Sequence, residues 1–106
     1  MSQKKGPKHY RRLQKRFPEV LDAVQNLGAT VRKSGPLDNK TAELIQLGVA
    51  ASLGSVGSVN SHTRRALQAG ASEKELQHAL LLLISTIGFP KVAAALSWVD
   101  DVLDKK

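Results

Sequence analysis

Phe17, Val20, Leu21, Val24 and Leu27 stand one, three or four positions apart, the spacing of a helix with one apolar face. The pattern predicts a first helix from His9 or Tyr10, open to interruption at Pro18 and stopping at Gly28. A loop with Lys33, Ser34, Gly35 and Pro36 follows. Asp38 is a good N-cap and opens a second helix to about Leu53, where Leu44, Ile45, Leu47, Val49 and Ala51 leave little polar surface. A third helix is predicted from about Ser58 to Ala69, with Gly70 as its stop. "SEKE", Ser72 to Glu75, is a capping box, and it starts a fourth helix running through "LQHALLLLIST" to about Ile87. Gly88, Phe89 and Pro90 break that helix, and Pro90, suited to N1, opens a fifth to about Leu103. No useful strand alternation occurs. The fold class expected is all-α, a bundle of about five helices with short connections.

The fourth of these segments is apolar on nearly every side. Leu81, Leu82, Leu83 and Ile84 are consecutive and would point round most of a helical turn. A chain of 106 residues has few other elements to cover such a helix. A central helix whose outer face meets another subunit is the expected solution, and so a homo-oligomer. Trp98, the only tryptophan, is either an interface anchor or a core residue. Gly54, Ser55, Gly57 and Ser58 form a small-residue seam where two helices, or a helix and a ligand, are expected to approach closely.

Composition narrows the chemistry. Apolar residues make up 42% of the chain and aromatics only 4%, so the core must be built from Leu, Val, Ile and Ala. There is no cysteine, which excludes disulfides, thiolate catalysis and thiolate metal sites. The longest apolar run, Ala79 to Phe89, is too short to span a bilayer and contains Ser85 and Thr86. No apolar segment of a signal peptide follows the basic N-terminus, and a cytoplasmic protein is the expectation.

The net charge of +7 is unevenly placed. Residues 1–16 hold Lys4, Lys5, Lys8, Arg11, Arg12, Lys15 and Arg16 and no acid, while residues 17–106 carry nine basic and nine acidic side chains. The division expected is a basic arm, 1–16, ahead of a helical domain, 17–106. The arm reads first as a solvated, partly disordered tail; contact with nucleic acid or another polyanion is the alternative. No aromatic RNA-binding motif, zinc-finger spacing or helix-turn-helix reader supports a specific nucleic-acid role.

Glu43, Ser55, Ser58 and His62 form the one plausible polar cluster. Ser55, Ser58 and His62 lie at i, i+3 and i+7, one face of a helix. Glu43 lies eleven residues before Gly54 and His62 eight after it, about 16 and 12 Å along two antiparallel helices. A carboxylate could there orient an imidazole for acid/base work. A buried hydrogen-bonded pair without catalysis is the plainer reading. A Ser58–His62–Glu43 nucleophilic triad finds less support, because no strained elbow or evident oxyanion donor set accompanies it. His9, His62 and His78 are scattered, so no metal site is expected, and no cofactor is called for.

The run "LDNKTAELIQLGVAASLGSVGSVNSHTRRALQAGASEKELQHALLLLISTIGFPKVAAALSWVDDVL" resembles the carboxymuconolactone decarboxylase family, which includes alkyl hydroperoxidase D-like proteins. The marks are the glutamate of "KTAELI", the segment "SHTRRALQAGAS" and the helix "EKELQHALLL". The resemblance implies an alkyl hydroperoxidase D-like helical bundle assembling as a trimer or hexamer. In the family's peroxidase branch a glutamate is followed by Cys-x-x-Cys-x-x-x-His. Carried onto this sequence, the glutamate is Glu43, the cysteine positions hold Ser55 and Ser58, and the histidine is His62. A serine hydroxyl neither ionises near neutral pH nor cycles through a disulfide, so peroxiredoxin-type activity is not expected. The decarboxylase branch needs no cysteine and implies acid/base handling of a small anionic lactone. His62 would then be the acid/base and Glu43 its orienter, with Ser58 beside them. Ser55, Arg64 and Arg65 would line the substrate site, one of the arginines holding a carboxylate. A non-catalytic oligomeric ligand-binding module is the alternative, and a polyanion scaffold acting through the arm a third reading.

Overall fold

A computed structural model describes residues 8–105 and divides the chain into two compact units, Met1–Pro36 and Leu37–Lys106. Lys4 and Lys5 of the basic arm lie outside the described residues. In the first unit, α1 spans Lys8–Arg16 and α2 spans Pro18–Arg32. Pro18 takes the first position of α2, where its missing N–H costs nothing. Phe17 leaves helical geometry there, with φ −136° and ψ 62°. The described part of the arm is thus helical over Lys8–Arg16, starting within two residues of the His9 or Tyr10 expected for the first helix. Gly28 does not stop the second segment either. Glycine costs a helix about 1 kcal/mol relative to alanine, and that is too little to end one without a left-handed turn, which Gly28 does not adopt. The helix runs on to Arg32, where Ser34 Oγ donates to the Thr30 carbonyl at 2.8 Å. Gln25 Nε2 donates to Tyr10 Oη at 2.7 Å and ties α2 to α1. Phe17, Val20, Val24, Leu27 and Val31 are all at least half exposed.

The second unit contains α3 (Asn39–Leu53), α4 (Val56–Gln68), α5 (Glu73–Leu81), α6 (Ile84–Ile87) and α7 (Phe89–Asp104). With α1 and α2, this is the all-helical class read from the sequence. Asp38 caps α3 by accepting the Thr41 N–H at 2.8 Å. That bond holds the Asp38 carboxyl below its ordinary range. Ser72 and Glu75 form the expected capping box at α5, with reciprocal bonds of 3.0 and 2.9 Å. The Ser72 amide, with Lys40 from α3 at 3.0 Å, likewise holds the Glu75 carboxyl low.

The segment expected as one helix from Ser72 to Ile87 is instead divided. After Leu81 the chain tightens: the Leu83 N–H bonds to the Leu80 carbonyl, three residues back, at 3.0 Å. Leu81 and Leu82 consequently turn outward, while Leu83 and Ile84 pack on the core. The break lets Leu83 reach α3 beside Gly48, where an added Cβ would lie 3.6 Å from Leu83 Cδ1.

The core is built as composition requires. Leu47, Val59, Ala66, Leu76, Leu80, Val92, Ala95 and Val99 are wholly buried. Trp98 packs against this cluster, partly buried. Thr63, also buried, donates its hydroxyl to the Val59 carbonyl at 2.7 Å, which removes the cost of an unpaired polar group. No described helix is long and apolar enough to cross a membrane.

Candidate functional site

The joint between α3 and α4 sets the site. Gly54 ends α3 in the left-handed conformation, φ 70° and ψ 24°, which glycine adopts without a Cβ penalty. Ser55 follows in extended geometry and caps α4, accepting the Ser58 N–H at a long 3.4 Å. Two residues therefore reverse the chain, and α4 begins two positions earlier than the sequence suggested. The antiparallel pair that results carries Glu43 and His62 to the same level.

His62 Nδ1 lies 2.7 Å from Glu43 Oε1. The Glu43 side chain is 4% exposed and that of His62 is 18% exposed. A carboxylate so deeply buried requires donors, and the imidazole supplies one. With Nδ1 engaged, the proton on that nitrogen is fixed toward the carboxylate, and Nε2 is left as the nitrogen that can exchange a proton with a bound molecule. An oriented acid/base and a purely structural buried pair share this geometry.

The other sequence candidates are distributed around this pair. Ser58 stands one turn before His62 on α4 and is exposed. No hydrogen bond joins Ser58 to His62, so the link that a serine nucleophile needs is not formed. Ser55 is occupied as a helix cap. Arg64 and Arg65 are both exposed, but they diverge. At about 100° per residue, Arg65 lies about 60° from His62 round the helix and Arg64 about 160° from it. Arg65 is the arginine on the flank of the pair. The seam is only partly what was expected: an added Cβ at Gly54 or Gly57 would meet nothing within 4 Å. Glycine serves backbone conformation at Gly54, and no described residue crowds Gly57.

Two polar groups were not singled out from the sequence. Gln46, half-buried, is one turn along α3 from Glu43, and its i+3 spacing was the available signal. Asn60 Oδ1 is buried without a hydrogen-bond partner; nothing in its spacing announces this. Among the described residues, no cluster of three or more His, Asp or Glu side chains could hold a metal ion.

An all-helical bundle in which a two-residue joint sets a buried carboxylate against an imidazole, with serines seven and four positions before the histidine, defines a class: helical proteins with a carboxylate–histidine pair and no redox sulfur. Within that class the family is settled by comparison. The chain belongs to the carboxymuconolactone decarboxylase family, whose sequence model matches residues 18–101. An uncharacterised protein of Methanocaldococcus jannaschii, MJ1511, is 30% identical over 90 residues, covering 85% of this chain and 84% of that one. An uncharacterised protein of Haemophilus influenzae is 40% identical over 59 residues, 56% of this chain and 52% of its own length. The fold is shared with apo-lpg0406 of Legionella pneumophila, a member of the same family, at TM-score 0.79 and 24% identity, over 91% of this chain and 86% of that one. A Burkholderia xenovorans protein assigned as a carboxymuconolactone decarboxylase superposes at TM-score 0.74 with 26% identity, over 93% of this chain and 80% of that one.

Proposed function

We propose that this protein is a non-redox acid/base enzyme acting on a small anionic substrate, a lactone carboxylate being the first class to consider. The observation that carries the reading is the 2.7 Å bond from His62 Nδ1 to the buried Glu43. In a decarboxylation of this class the bond from carbon to the departing carboxylate breaks and carbon dioxide leaves. The electron pair stays on the organic fragment, delocalised toward a neighbouring carbonyl. His62 Nε2–H gives a proton to it and is then re-protonated from solvent, so that the net change is uptake of one proton as carbon dioxide leaves. Glu43 keeps the imidazole in place through the cycle. Arg65, on the flank of His62, attracts the substrate's carboxylate. Serine at positions 55 and 58 leaves no sulfur to be oxidised.

The working unit in this proposal is a homo-oligomer, a trimer or hexamer. Support comes from the exposed apolar stripes of α2 and of Ile45, Val49 and Leu53 on α3, since contiguous patches of this kind mark interfaces. Light scattering should report at least twice the 11.4 kDa chain mass. A concentration-independent monomer would remove this part of the proposal.

A thermal-shift panel tests the site. Small lactone carboxylates should raise the melting temperature of the native protein and do so less for Arg65→Gln, because a ligand that binds only the folded state stabilises it. Equal shifts with neutral lactones, or none with any of them, would refute an anionic substrate.

A further inference from the structure

All of the chain's net charge of +7 resides in Met1–Pro36, which has nine basic residues against Glu19 and Asp22. From Leu37 onward the chain is balanced, with seven of each sign. The structure adds an arrangement that composition does not contain. Lys8, Arg12, Lys15 and Arg16 are all exposed on α1. Their spacing of four, three and one places them within an arc of about 100° on the helix. Arg11, half-buried, borders the same arc. The opposite side carries Tyr10 and Leu13, both half-buried, and Tyr10 is bonded to Gln25 of α2. The α1–α2 hairpin thus uses the apolar side of α1 internally and turns a purely cationic face outward.

We infer that this face docks on the phosphate backbone of duplex nucleic acid without regard to base sequence. Four cations over the nine residues of α1 give one charge per about 3.4 Å of helix axis. A duplex strand offers one phosphate per about 3.4 Å. Lys and Arg are the side chains that neutralise phosphates and release counterions. Two other polyanions fit less well. A helix lying in a membrane interface sinks an apolar face between the lipids, and that side of α1 is engaged with α2. Single strands are held by stacking on aromatic rings. Tyr10 lies on the far side of α1, and Arg16 stands 6.0 Å from the Phe17 ring centroid. The sequence has no base-reading motif, and backbone docking requires none.

The experiment uses the full chain and fluorescent duplexes of about 20 base pairs in two unrelated sequences, followed by anisotropy. Four phosphate contacts predict about a hundredfold loss of affinity between 50 and 200 mM salt, with both sequences bound alike. Removing three of the charges, Arg12→Gln, Lys15→Gln and Arg16→Gln together, should weaken binding and reduce that salt effect to about fourfold. Glutamine preserves helix propensity, and the charge-retaining variant Arg12→Lys with Arg16→Lys should bind as the wild type does. A control with the same loss of charge elsewhere, Lys33→Gln, Lys74→Gln and Lys105→Gln, should retain the wild-type salt effect. The inference is overturned if the control loses as much as the α1 variant. It is equally overturned by strong preference for one sequence, or by binding to phosphatidylserine vesicles but not to duplex.

Discussion

Exchanging Glu43 should disclose how much the buried pair contributes. In Glu43→Gln the side-chain volume stays and an amide oxygen can still accept from His62 Nδ1, but the charge is gone. Hydrogen bonds to charged groups contribute about 1.5–3 kcal/mol and neutral ones about 0.5–1.5. The expected loss is therefore about 1 kcal/mol. In Glu43→Ala the acceptor disappears altogether and a cavity opens beside the partly covered imidazole, so the loss should reach about 2–4 kcal/mol. His62→Ala alone leaves the 4%-exposed Glu43 side chain without that donor. The decisive quantity is the coupling in the Glu43→Ala, His62→Ala double-mutant cycle, expected at about 1.5–3 kcal/mol for a charge-assisted bond. Urea unfolding at neutral pH and fixed protein concentration measures it, with an unchanged m-value showing that all four proteins lose the same surface. A coupling below about 0.5 kcal/mol, the value typical of independent sites, would mean that the bond does not hold the imidazole.

Gly48→Ala should stabilise the fold by about 0.5–1 kcal/mol, because a helical glycine is replaced and the new Cβ would rest at an ordinary 3.6 Å from Leu83; a lower melting temperature would show that the α3 contact with Leu83 has no room to spare. Asp38 and Glu75 have folded-state pKa values below the ordinary ones. Their stabilisation is complete above the unfolded-state values and is lost as pH falls through the folded ones, so melting temperature should drop on acidification below about pH 5; Asp38→Asn combined with Ser72→Ala should flatten that drop, and an unchanged slope would refute the assignment to these caps. The purified protein should not reduce peroxides with a dithiol donor, since Ser55 and Ser58 cannot form a disulfide; turnover above a protein-free blank and abolished by His62→Ala would contradict this.

What the sequence disclosed was governed by local chemistry. Asp38, the Ser72–Glu75 box and Pro90 announce helix starts because caps act within one turn, and each start was placed within about two residues. The level of Glu43 against His62 was legible because Gly54 fixes the reversal and helix rise is constant. Where tertiary packing overrides local preference, the reading failed. The division of the segment after Leu81 depends on Leu83 reaching Gly48 on another helix, and an unbroken run of leucines gives no hint of it. Gly28 misled because a glycine inside a helix and one at its end look alike in sequence, and only the backbone angle separates them. The cationic face of α1 is visible in the sequence as charge but not as a face, since the helix predicted from His9 or Tyr10 is phased there on its apolar positions from Phe17 onward, not on its cations. Ser58 shares a helix with His62, yet sharing a face did not amount to a hydrogen bond.

The central claim is that His62, held by Glu43, moves a proton for a small anionic substrate. It is tested most directly by following carbon dioxide release from carboxymuconolactone with the wild-type protein, His62→Ala and Glu43→Gln, each assayed for fold by circular dichroism. The account predicts turnover by the wild type, a fall in kcat of about 10²–10⁴-fold in His62→Ala, the usual worth of a general acid/base, and a smaller fall in Glu43→Gln. Turnover that survives in His62→Ala at the wild-type rate, or a folded wild-type protein inert toward carboxymuconolactone and the other lactone carboxylates of the binding panel, would contradict it.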